Sequence, residues 1–326
     1  SGDQLTAQLS ARFRDGGSAD LDATFTPRVV SPETTSLRYD VTADIQRLTT
    51  SLIGPADPSE NRLTARMRAD LEGPSLDRLG GSVAVDVLDT RYAPLQADSV
   101  RLRASMRNGE TDYTVRGQVN GTGIDGSGTA RLFDDRPSYR LDARFANLDA
   151  SRFGGGALST DVNGRIVIDG DGTDPQDLQS SLDLTLDASR IEDLNLTDGE
   201  ARLRLSPDSV SGRVAIQTVN GGVRLAGAAS LDETERFRID TARVDDIDVA
   251  AMMGDTTASR LRGTVQATGR GFSPETMRLD GQLTVTESFY GSVRLDSVGS
   301  RIALDRGRLR ANLAAVVNDG TFAGTM

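Results

Sequence analysis

The chain has 326 residues, with 37 basic against 48 acidic side chains, a net charge of −11, and neither histidine nor cysteine. Those absences exclude Ser–His and Cys–His nucleophilic systems, Cys/His zinc sites and a disulfide scaffold. An acidic chain also lacks the basic face on which nucleic-acid binding depends, so no nucleic-acid partner is expected.

All the basic residues are arginine, a compositional mark of a GC-rich genome rather than of function. Hydrophobic residues make up 37% and aromatics 4%, while glycine is abundant at 34. That balance suits many short strands joined by turns better than one large core. There is no apolar run of about 18 residues to cross a membrane as a helix, and no signal peptide.

From the first residues onward, apolar and polar side chains alternate. Residues 1–35 read as the tail of a preceding unit. Further along, Ser82–Val87, Gly164–Ile168, Ser181–Leu186, Ala201–Leu205, Gly212–Ile216, Gly281–Val285 and Ser292–Leu295 repeat the pattern, with Asp, Arg, Thr, Ser or Gln between the aliphatics. Period two means strands with one dry and one wet face. Asn108-Gly109, Asn120-Gly121, Asp125-Gly126, Asn220-Gly221 and Asp319-Gly320 supply residues that tolerate positive φ and so predict tight hairpins. Helical signal is confined to Leu148–Phe153 and Ile247–Met253, one or two turns each; Thr49–Pro55 reads as a loop.

Three passages open alike: Tyr39–Leu48, Tyr139–Leu148 and Phe237–Ile247, their aromatic residues 100 and 98 positions apart. Short apolar stretches follow (Leu52-Ile53, Phe153, Val249–Met253), then the hinges Gly73–Leu76, Gly172–Leu178 and Gly271–Met277. The expected organisation is therefore 1–35, 36–136, 137–234 and an incomplete 235–326, as part of a longer chain.

Nothing in the sequence supplies a helical layer to cover the dry faces. The fold class expected is all-β: an elongated antiparallel β-groove, a U-shaped, taco-like sheet built from repeats of about 100 residues. At about 4.8 Å per strand it would form a rod on the order of 100 Å. The candidate lining is Val83, Val85, Val87, Ile166, Ile168, Leu182, Leu184, Leu186, Val214, Ile216, Leu283, Val285, Val293 and Leu295, which would share one concave face. A closed sandwich or a solenoid with a filled core remains the other way to bury the same residues.

The residues resemble the AsmA-like and TamB family of bacterial envelope proteins. The likeness lies in the aromatic opening with its Leu148–Ala150 or Ile247–Ala250 turn, the run Leu261–Pro274, and the ladder Leu279–Leu283, Gly291–Leu295 and Gly307–Ala311. It covers about residues 36–326 and sets an architecture, not a chemistry. The resemblance implies a non-catalytic periplasmic conduit between inner and outer membranes, with phospholipid acyl chains or a folding outer-membrane strand in the groove. It also implies an outer-membrane barrel partner and an inner-membrane anchor outside this segment. No enzyme activity, cofactor or metal follows from it.

Other motifs carry less. Asp169-Gly-Asp171-Gly-Thr-Asp174 has the acidic spacing of calcium loops but no bidentate glutamate or flanking helices, and reads as a solvated turn. The glycine-rich Asn120–Gly128 occurs once and is better explained by hairpin turns. Gly269-Arg-Gly271 lacks the strand–helix unit of a phosphate loop. Carboxylates are plentiful, but no pair stands out as a glycosidase couple, and there is no tryptophan for sugar stacking. The runner-up function is a structural or adhesive β-solenoid.

Overall fold

The computed structural model describes residues 4–13, 16–31, 34–49, 61–92, 95–153, 159–172, 174, 176–192, 194–232, 234–252, 255–273, 276–318 and 320–325. The chain divides into two units, Ser1–Thr173 and Asp174–Met326. Both are almost entirely antiparallel sheet.

The first unit runs β1 (Leu5–Arg12), β2 (Ser18–Ser31), β3 (Thr34–Thr49), β4 (Arg62–Gly73), β5 (Gly80–Tyr92), β6 (Leu95–Arg107), β7 (Glu110–Val119), β8 (Thr122–Arg131), β9 (Ser138–Leu148) and β10 (Thr160–Asp171). Each strand pairs with the next in sequence, from β1–β2 through β9–β10.

The second unit runs β11 (Gln179–Leu186), β12 (Ser189–Ile191), β13 (Leu194–Ser206), β14 (Ser209–Thr218), β15 (Gly221–Ser230), β16 (Arg236–Ile247), β17 (Ser259–Arg270), β18 (Arg278–Tyr290), β19 (Val293–Asp305), β20 (Arg308–Val317) and β21 (Gly320–Thr325). Strands β11 and β12 act as one interrupted strand, both pairing with β13; beyond it the meander is again sequential.

Residues directly opposite on antiparallel strands point to the same face, so the register sorts every side chain. In the first unit, Val85 lies in a row with Leu102, Val115, Gly126, Ala143 and Ile166 on one side, and with Met67, Ala43, Leu21 and Leu9 on the other. The row one residue further along is Asp44, Arg66, Asp86, Arg101, Arg116, Asp125, Arg144 and Arg165. One face is thus aliphatic and the other is ionic, row after row.

Strict alternation is broken at a recurring place. Arg47, Asp89, Asn147, Asp246 and Glu287 all have positive φ, between 39° and 58°. Each follows the last regular apolar position of its strand (Ile45, Val87, Phe145, Val244, Val285) by two residues. The extra residue forms a bulge, as between Ile45 and Leu48 or between Val244 and Ile247.

Hydroxyls close these bulges at a spacing of 99 residues. Thr90 Oγ1, Ser189 Oγ and Ser288 Oγ each donate to the carbonyl two residues earlier, at 3.2, 2.8 and 3.0 Å. Thr90 Oγ1 and Ser288 Oγ also accept from the backbone N–H of Thr64 and Arg262, at 3.1 and 2.9 Å. Residues 64, 163 and 262 are likewise 99 apart, and each holds the positive-φ residue on the neighbouring strand. Thr64 Oγ1 accepts from Arg47 N at 3.3 Å, Asn163 Oδ1 accepts from Asn147 N at 2.9 Å, and Arg262 Nε donates to Asp246 Oδ1 at 2.6 Å.

The expected helical segments are single turns, 3₁₀ at Ala150–Phe153 and α at Val249–Met252. Asp149 Oδ1 accepts from Ser151 N at 3.1 Å, and Asp248 Oδ1 accepts from Ala251 N at 3.0 Å. The passages 50–60 and 253–254, which include Leu52-Ile53 and Met253, lie outside the described residues.

Two turn expectations are corrected. Asp125-Gly126 is not a hairpin but the middle of β8, paired with Arg116 and Val115. Gly126 is required there because a Cβ would meet the Ala143 Cβ at 2.7 Å. Within the glycine-rich run only Asn120-Gly121 turns, with φ of 52° and 80°. Gly128 instead lies beneath the Tyr113 ring, whose hydroxyl donates to the Arg140 carbonyl at 3.0 Å.

Ser288 is 2% exposed. Ser288→Ala leaves the Arg262 N–H without its acceptor and should cost about 1–3 kcal/mol, read as a lower urea midpoint at unchanged slope. The carboxyls of Asp149 and Asp248 are held below the usual aspartate range. The Ser151 hydroxyl is the main cause for the first, and the Ala251 N–H followed by Ser259 for the second. Depressed carboxylates contribute stability above the ordinary aspartate pKa and lose it as pH falls through their native values. Hydrogen exchange at Ser151 and Ala251 should therefore accelerate, relative to mid-strand amides, as pH drops below the ordinary aspartate range.

Candidate functional site: the apolar face

In the first unit Val83, Val85 and Val87 occupy three adjacent apolar rows. Val83 leads through Ala104, Tyr113, Gly128 and Leu141 to Ile168, and Val85 leads to Ile166 as above. In the second unit Leu184 leads through Ala201, Val214, Leu225, Ala242 and Val265 to Leu283. Leu186 leads through Gly199, Ile216, Val223, Val244 and Gly263 to Val285. Leu182 begins the row of Leu203, Gly212, Gly227 and Ile239.

Twelve of the fourteen candidates therefore fall within three apolar rows of their own unit. Leu295 and Val293 lie past the bulge, opposite Ser288 and Tyr290, and Val293 is 46% exposed.

The burial of this face decides how it is covered. Apart from Met106, the buried apolar residues on it are small: Ala23, Ala69, Ala130, Ala143, Ala201, Ala267 and Ala315. The large aliphatics are mostly half-buried; none of the fourteen candidates is buried. The least exposed side chains are Ala250, Thr122 and Ser288, all near or beyond strand ends. Short residues are shielded by their longer row neighbours, whereas a second layer would have buried the longer ones too.

Surface area agrees. Divided into two separate compact bodies, a chain of 34.7 kDa would expose roughly 16,000 Å²; this one exposes 20754 Å².

The opposite face is ionic. Arg103–Asp86 at 2.7 Å, Arg116–Asp125 at 3.0 Å and Arg140–Asp169 at 2.8 Å join neighbouring strands, as do Arg165 and Asp142. The hydrogen bond from Arg165 is the main reason the Asp142 carboxyl lies below its usual range. All these pairs are solvent-exposed, so each contributes little to stability; their role is register and solubility.

Clefts of about 630, 590 and 600 Å³ open among these side chains, around Arg103 and Arg140, around Arg243 and Arg262, and around Arg202 and Arg213. These three hollows lie on the polar face, where sequence reasoning placed no site. Their signal in the sequence was arginine at alternate polar positions next to serine and alanine.

Among the described residues no group of acidic side chains is arranged to hold a metal ion, and no helix is long and apolar enough to cross a membrane. Asp169, Asp171 and Asp174 are exposed, and Asp169 is engaged by Arg140. The chain matches no protein-family model, no curated protein and no solved structure.

Replacing Asp169, Asp171 and Asp174 together with alanine should change unfolding free energy by less than about 1 kcal/mol. Calcium titrated into the native protein should give flat heats. A saturable micromolar heat that the triple variant loses would mean the turn is a calcium loop.

Proposed function

We propose that the chain is a non-catalytic hydrophobic conduit of the bacterial envelope, carrying phospholipid acyl chains between the inner and outer membranes in the periplasm. The observation that carries the proposal is the continuous aliphatic face of each unit, whose valines, leucines and isoleucines are mostly half-buried, with no second layer over them among the described residues. A face of that kind needs an apolar occupant. The resemblance to the AsmA-like and TamB family names the same occupant.

Each methylene taken from water is worth roughly 0.8 kcal/mol, so an acyl chain needs no specific polar ligand. Such binding tolerates different chain lengths and leaves the headgroup in water. It also requires no acid, base or nucleophile, in keeping with a chain lacking histidine and cysteine. The filled-core solenoid finds less support, because a filled core would bury Leu184, Val214 and Leu283, which are half-exposed.

Native mass spectrometry of protein purified without detergent tests the reading. Phospholipid should be found on the wild type. Leu184→Arg, which puts a charge in the central row beside Ala201 and Val214, should lower that occupancy while circular dichroism still reports sheet. Lipid-free wild type, or a folded Leu184→Arg protein with undiminished lipid, would overturn it.

A further inference from the structure

On the polar face of the second unit, Arg202 of β13 stands directly opposite Arg213 of β14. Arg204, two residues along β13, faces Ser211 and is therefore diagonal to Arg213. The next strand presents only alanine at these levels: Ala226 opposite Arg213, and Ala228 opposite Ser211. Short side chains beside long ones leave a hollow, the cleft of about 600 Å³ lined by Ser181, Asp183, Arg202, Arg204, Ser211 and Arg213.

The charges in this cleft are not balanced. Arg202 is shared between Asp183 at 3.5 Å and Glu200 at 3.8 Å. Among the described residues, no carboxylate lies within ion-pair distance of Arg204 or Arg213. Like charges directly opposite on a sheet repel. Two other such pairs on this face have acids within reach: Arg101 and Arg116, also opposite each other, have Asp86 and Asp125 as their outer neighbours, and Arg224 and Arg243 both reach Asp245, at 3.5 and 2.6 Å.

The 99-residue spacing offers an internal control. The equivalent place in the first unit has Arg103 opposite Thr114 and Ser105 opposite Asp112, with Arg103 bonded to Asp86 at 2.7 Å. The equivalent place further along has Arg301 opposite Asn312 and Ala303 opposite Arg310. The first arginine is common to all three, but only the middle one sets arginine opposite it and another arginine on the diagonal.

We propose that the Arg202–Arg204–Arg213 cleft is a binding site for a phosphate group. Guanidinium forks match the oxygens of a phosphate and form charge-assisted hydrogen bonds with it, and the Ser211 hydroxyl lies at the rim. The net charge of −11 repels large polyanions, so the ligand is a single phosphate, free or carried by a lipid headgroup. The cleft lies on the face opposite the aliphatic rows, so it is independent of acyl-chain binding there.

The test is calorimetric titration with inorganic phosphate, together with flotation on phosphatidylcholine vesicles with and without phosphatidylglycerol. Wild type, Arg204→Gln/Arg213→Gln and, as control, Arg103→Gln are compared, each checked for sheet content by circular dichroism. Saturable phosphate binding weakened about tenfold or more in the double variant and unchanged in Arg103→Gln is expected. If only the phosphatidylglycerol vesicles bind, with the same dependence on the two arginines, the site holds and its phosphate is lipid-borne. Absence of saturable binding to both probes, or a double variant that binds like wild type, or an equal loss in Arg103→Gln, overturns the proposal. Lipid retained by the Leu184 face in the double variant shows that the two sites fail separately.

Discussion

The whole structure depends on strand parity: successive side chains must point to opposite faces, and neighbouring strands must agree on which face is which. A slip of one residue would exchange the row of Val85 with the row of Asp86. Agreement is kept in two ways. Oppositely charged side chains bridge adjacent strands on the polar face, as Arg66 does to Asp44 and Arg103 to Asp86. Where parity has to be reset, a positive-φ residue and a buried hydroxyl absorb the extra position at the same level of successive strands. The ion pairs are individually weak, but a slipped register would break them and turn the aliphatic row to the wet face, so their contribution is mainly to specificity.

The aliphatic face is what this arrangement leaves over. Its rows mix large and small residues, so alanines are hidden while valines and leucines remain reachable. A compact protein would turn that face inward against another layer, and among the described residues neither unit supplies one. Amino-acid choice accommodates this arrangement: glycine and alanine in place of further bulk, few aromatics and no tryptophan, and an ionic surface opposite that opposes edge and face association.

Much of the architecture was legible in the sequence because period two is a strong signal wherever one face is apolar. Ser82–Val87 and Ser181–Leu186 read directly as half-buried strands. The bulges were not legible. Asp89 and Glu287 are ordinary acidic residues, and nothing local marks them for positive φ; the constraint comes from the hydroxyl on the same strand and the neighbouring backbone. Asp125-Gly126 misled for the opposite reason. The dipeptide favours turns, but here the glycine answers close contact with Ala143 inside a strand. The arginine cleft was hidden because its members lie on two strands, and only the register places Arg202 against Arg213.

Pairing within each unit runs almost wholly between strands adjacent in sequence, joined by short hairpins such as Asn108-Gly109 and Arg306-Gly307. The loops that must close to form each new ladder are therefore small, and their entropic cost stays constant as the sheet grows. All-β domains usually fold slowly because their contacts are distant along the chain. Here a hairpin can form as soon as its own residues are available and template the next strand. The sheet can thus assemble vectorially, one strand at a time, without waiting for the rest of the polypeptide to arrive.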